Sequence, residues 1–133
     1  MALLNKDAIL QAEDRAHEDI AVPEWGGEVR IQALSGTERD AYEASFVRLD
    51  ARGKQIGRDL KNTRARLLAL CIVGSDGKRQ FTDADVRALG AKNGAVLDRL
   101  FDAAKRLSGL HERSVEAAEG NSGTAPSGGS TSD

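Results

Sequence analysis

Seven consecutive apolar residues, LLALCIV at 67–73, close a charged stretch and set the main constraint on how this chain folds. A run that is apolar on every side has no face to offer water, so it belongs in a core, as a buried helix or, at its end, a buried strand. It falls far short of the roughly 20 apolar residues that cross a bilayer, and no other run comes closer. With 133 residues the chain has room for one domain and one core. Only 4% of residues are aromatic, so Leu, Val, Ile and Ala must fill that core. Leu60, Leu67, Leu68 and Cys71 recur at helical spacing, and Gly74 is a natural stop. Cys71 is the sole cysteine; it is expected as a buried free thiol and cannot form an internal disulfide.

The segments before this run alternate between helix and strand signals. NKDAILQAED (5–14) suits a short helix with Asn5 as cap and Asp7 in the first turn. In DIAVPEWGGEVRIQAL, Ile20 and Val22 share one face, and Val29, Ile31 and Ala33 share another, the period of half-buried strands. A hairpin results, with the positive φ angles of its turn assigned to Gly26 and Gly27. Pro23 lacks an N–H, which ends the first strand near Val22 and leaves Trp25 to fold onto the core or serve as a contact residue. Ser35 and Glu38 form a capping box that opens a helix over SGTERDAYEASFVRLD, where Tyr42, Phe46 and Leu49 make one apolar stripe.

ARGKQIG then interrupts, and the helical pattern resumes through RDLKNTRARLLALCIV. Asp76-Gly77 marks a turn, Thr82 and Asp85 cap a further helix, and 95–110 carries Val96, Leu97, Leu100, Phe101, Ala104 and Leu107 on one helical face. Past Leu110 the composition shifts: HERSVEAAEG extends at most a turn or two of helix and NSGTAPSGGSTSD has no apolar residue larger than Ala or Pro, so 1–110 is expected as one domain and 111–133 as a flexible Gly/Ser-rich tail. The fold class expected is α+β: an N-terminal hairpin on about four or five helices.

Residue patterns that carry chemistry are hard to write here. His17 and His111 stand apart from each other and from Cys71, so no metal-ligand spacing emerges, and the glycine clusters lack the Lys-Ser/Thr of a phosphate loop. Cys71 sits among Leu, Ala and Ile rather than in the electropositive setting of a reactive thiol. Neither a metal nor a cofactor is expected, nor an enzyme. The net charge of −2 conceals an uneven distribution, since residues 48–66 are +5 and the remainder −7. Arg52, Lys54 and Arg58 in that stretch suit a solvated helical face, a contact with an acidic protein surface, or a small nucleic-acid-binding regulator. The absence of an aromatic within the stretch disfavours the last.

The order VPEWGG, strand, LSGTERD, apolar helix, D-G turn, FTDADVRAL and a closing helix ending LSGL resembles the tail assembly chaperones of long-tailed bacteriophages, especially those infecting actinobacteria. The resemblance implies a non-enzymatic assembly factor of the host cytoplasm with no membrane association. Its partner would be the tape measure protein, joined by the tail tube protein, by a longer product of programmed ribosomal frameshifting, and by further copies of itself. This chain corresponds to the shorter product. The contact candidates on that reading are Trp25, the Tyr42, Phe46 and Leu49 stripe, the Leu97, Leu100 and Phe101 stripe, and the cations Arg52, Lys54 and Arg58.

Overall fold

The computed structural model describes residues 2–110; the expected tail over 111–133, with His111, lies outside them. The described residues form five α-helices and two small antiparallel sheets, the α+β class expected. Helix α1 (Lys6–Gln11) starts at Asn5, whose side chain accepts from the Ala8 N–H at 2.9 Å, and it buries none of its residues. Strands β1 (His17–Val22) and β2 (Gly27–Gln32) pair antiparallel, Ile20 opposite Val29 and Glu18 opposite Ile31. That register puts Ile20, Val22, Val29 and Ile31 on the same face of the sheet, which turns to the core.

The hairpin turn departs from a two-glycine turn. Pro23–Trp25 is a 3-10 turn with Pro at its start, closed by the Gly26 N–H donating to the Pro23 carbonyl at 3.0 Å. Gly26 alone carries the left-handed angle, φ +80°, while Gly27 is already in β2.

Helix α2 (Gly36–Ala44) opens with the complete Ser35 and Glu38 capping box. It stops sooner than the sequence pattern suggests. The Ser45 hydroxyl donates to the Tyr42 carbonyl at 2.6 Å, and the Ser45 carbonyl is taken at 3.0 Å by Arg66, a cation 21 residues on. Tyr42, Phe46 and Leu49 therefore form no helical stripe: Tyr42 is buried, Phe46 is half-buried in the following turn, and Leu49 lies in a strand.

Residues 47–58 fold as a second hairpin, β3 (Val47–Leu49) and β4 (Gln55–Arg58), rather than an interrupted helix. Asp50 builds its turn: Oδ1 accepts from the N–H groups of Arg52 and Lys54, both at 2.9 Å, and Gly53 takes φ +81°. The basic stretch is thus a strand pair, a loop and a helix start, and Leu60 precedes the helix instead of belonging to it.

Helix α3 (Thr63–Cys71) is the centre of the molecule, with six of its nine residues buried, and it packs against α5, α4 and β2. Its apolar run ends as the short strand β5 (Ile72–Val73), which pairs with β2 and completes a three-stranded sheet in the order β1-β2-β5. The Asp76-Gly77 turn follows, Gly77 at φ +78°. Thr82 and Asp85 close the second capping box over a 3-10 turn that leads into α4 (Val86–Gly90). Gly90 passes against α3: a Cβ there would meet the Asn62 Oδ1 at 2.6 Å.

Helix α5 (Gly94–Leu107) is capped by Asn93 and buries Val96, Leu97, Leu100, Ala103 and Ala104. The LSGL sequence ends it. Gly109 takes φ +73°, Leu110 N–H donates to the Lys105 carbonyl at 2.8 Å, and Leu110 returns to the core. The Ser108 hydroxyl accepts from the Leu34 N–H at 3.0 Å, tying this end to the exit of the first hairpin.

Candidate partner-binding surface

The core accounts for several of the expected contact residues. Leu97 and Leu100 are buried on α5, and Tyr42 is buried on α2, edge-on to Phe46 with ring centroids 4.8 Å apart. A partner cannot reach these side chains without unfolding, so they are core rather than contact surface. Phe101 is half-buried, with Arg64 and Lys105 over its ring at 5.8 and 4.7 Å. Trp25 is half-buried as well, packed on the core beneath Lys92, whose Nζ is 5.6 Å from the ring centroid. Beside it Glu24 receives both Arg99 guanidinium nitrogens at 3.0 and 2.7 Å, which holds its carboxyl down at about 2. VPEWGG therefore pins the hairpin tip to α5.

Four of the expected residues do come together. Leu49, Arg52, Lys54 and Arg58 all belong to the β3–β4 hairpin, and Phe46 lies at its base. Val47 pairs with Arg58 and Leu49 with Gln55, so the register puts Val47, Leu49 and Arg58 on one face of this two-stranded sheet, and the shift between Arg48 and Leu49 leaves Ile56 at a bulge without a partner in β3. Leu49 and Ile56 are each 57% exposed. The arm is attached at its base by Arg66, which donates to the carbonyls of Ser45, Asp59 and Lys61 and stacks on Phe46 at 5.7 Å. Arg58 covers the same ring, also at 5.7 Å.

A second exposed apolar cluster escaped the sequence reading. Leu3, Leu4, Ile9 and Leu10 stand open to solvent on and before α1, with Asp7 among them. Val47 and Ile56 differ in another way: the alternation VRL and QIGR about an Asp-x-x-Gly turn is the signal for them, but the helical reading takes in Val47 and the interruption ARGKQIG takes in Ile56.

Among the described residues no group of three or more His, Cys, Asp or Glu is placed to hold a metal, and no helix is long and apolar enough to cross a membrane. Cys71 is fully buried, and loss of solvent pushes its thiol up to about 12, against a hydrogen bond to Ser108 that acts the other way. It is not a poised nucleophile.

What the structure defines is a small α+β domain with a closed core and large apolar side chains displayed outside it. Comparison with known proteins gives that class a family: the phage tail assembly chaperone model matches residues 5–121, and the chain belongs to that family. Among solved structures, the tail assembly chaperone of bacteriophage HK97 is similar in fold, with a TM-score of 0.53 at 19% identity, over 76% of this chain and 90% of that one. No curated protein sequence matches the chain. The resemblance read from the residues is borne out at the level of the family.

Proposed function

We propose that this chain is a non-enzymatic chaperone that binds the phage tape measure protein, shields its apolar helical segments and assists tail tube subunits to polymerise around it. The observation that carries the reading is the display, among the described residues, of eight large apolar side chains in two stretches, Leu3 to Leu10 and Val47 to Leu60, outside the buried core. Water-exposed apolar surface of this kind is retained where a partner covers it. Such a partner needs its own apolar stripe, which a long amphipathic helix supplies. The work is done in the host cytoplasm, alongside the tail tube protein and a longer frameshifted product in which the Gly/Ser-rich 111–133 segment acts as a linker. Co-expression with the cognate tape measure protein is expected to raise the soluble yield of that protein. An unchanged yield, with this chain folded and abundant, refutes the proposal.

A further inference from the structure

We infer that the β3–β4 arm is the docking surface for an acidic amphipathic protein segment, its apolar stripe seated on Val47, Leu49 and Ile56 and its carboxylates facing Arg52 and Lys54. The inference rests on the chaperone reading and adds the place and chemistry of the contact.

Charge carries the first part of the argument. Nine cations of the described chain lie within 4.0 Å of a carboxylate, among them Arg15, Arg30, Arg99 and Arg106. Arg52 and Lys54, at the tip of the arm, have no such partner among the described residues, a state they share with Arg48 and with several cations elsewhere, but 47–58 concentrates four cations against the single carboxylate of Asp50. The nearest carboxylate in sequence, Asp50, is already held in the turn by the N–H groups of those same residues. Cations left unpaired beside exposed apolar side chains match a partner with carboxylates flanking an apolar stripe. The other exposed cluster suits that partner less well, because Lys6 and Asp7 cancel within it and Glu13 and Asp14 follow.

The second part separates protein from nucleic acid. Binding a single strand takes aromatic faces as well as cations. The aromatic at the arm, Phe46, has its ring covered by Arg58 and Arg66, and the side chains that are open, Val47, Leu49 and Ile56, are aliphatic. An aliphatic face flanked by cations fits a polypeptide.

The test uses the full chain and three labelled probes: a synthetic leucine-striped helix flanked by Glu, the same stripe flanked by Lys, and an oligothymidylate. Anisotropy titrations between about 50 and 300 mM salt report affinity and its ionic part. The acidic peptide is expected to bind about tenfold tighter than the basic one, and Arg52→Glu with Lys54→Glu to erase the preference. Leu49→Ser with Ile56→Ser is expected to abolish binding of the acidic peptide while the thermal midpoint holds, since both side chains lie outside the core. Equal binding of the two peptides overturns the inference, as does indifference to these substitutions. Salt-sensitive binding of the oligothymidylate alone assigns the arm to nucleic acid. Loss of a self-association, rather than of peptide binding, on Leu49→Ser with Ile56→Ser assigns it to a second copy, whose exposed Leu3 to Leu10 segment is followed by Glu13 and Asp14. If the arm variants still solubilise the tape measure protein, this inference fails and the chaperone reading stands; if the unaltered chain never does, the chaperone reading fails.

Discussion

Leu100 and Leu49 were equivalent candidates in the sequence, each on an apolar stripe, and the structure gives them opposite fates. Leu100 is 0% exposed on α5, between the central helix and the sheet, whereas Leu49 is 57% exposed on the arm. Truncating Leu100 to Ala removes Cγ and both Cδ carbons from a site without solvent, about 2.4 kcal/mol of transfer free energy at ~0.8 kcal/mol per carbon. Leu67, Leu68 and Val96 of the same core cluster are themselves fully buried and cannot collapse completely, so a cavity contribution raises the expected loss to about 3 to 4 kcal/mol. For a domain of this size that is a large share of the ~5–15 kcal/mol holding it folded. The thermal midpoint should fall by roughly 10 to 20 °C. Leu49→Ala should change stability by no more than about 0.5 kcal/mol. Urea unfolding followed by circular dichroism measures both, the midpoint moving at constant slope. A loss below about 1 kcal/mol for Leu100→Ala, or above 2 for Leu49→Ala, refutes the division between core and surface drawn here.

Three other outcomes are expected. Arg66→Lys loses the forked guanidinium that serves Ser45, Asp59 and Lys61, and should cost about 1 to 3 kcal/mol while hydrogen exchange quickens selectively at 45–60; uniform exchange across the domain argues against Arg66 as the anchor of the arm. Glu24 has its carboxyl held at about 2 by Arg99 against an ordinary 4.5, so its contribution is present above the ordinary value and lost as pH falls from there toward 2. The gap in thermal midpoint between the unaltered chain and Glu24→Gln should accordingly close over that window, and a gap constant with pH contradicts it. Cys71, raised to about 12 from 9.0, should resist a thiol reagent at pH 8 until denaturant is added, and stability should decline as pH climbs above 9, where only the unfolded thiol ionises. Rapid labelling of the native protein denies its burial.

Much of the fold was legible because it is decided within a few residues. The Ser35–Glu38 and Thr82–Asp85 boxes, the Asn5 cap, Pro23 at a strand end and the apolar face of 95–110 all behave in the structure as their spacing says. The arm was not legible. Tyr42, Phe46 and Leu49 fit a helix well enough to hide the break before Val47, and the two glycines of ARGKQIG read as an interruption rather than as a hairpin. Of the candidate surface, the sequence supplied Leu49 and the cations but scattered them among core residues such as Leu97.

The sequence by itself determined where α1, α2 and α5 begin, where the first hairpin and the Asp76-Gly77 segment turn and which run lies at the centre, because capping hydrogen bonds, glycine's left-handed angles and a seven-residue apolar block act locally or in one way only. Where α2 ends, which apolar stripe is core and which side chains remain for a partner were decided by the tertiary structure. Those outcomes depend on groups distant in the chain: Arg66 reaching back 21 residues to the Ser45 carbonyl, and α3, α4, α5 and the first hairpin closing on one another so that 47–60 and 3–10 are left outside. Burial is a property of what packs against a residue, and its own neighbours in sequence do not encode that.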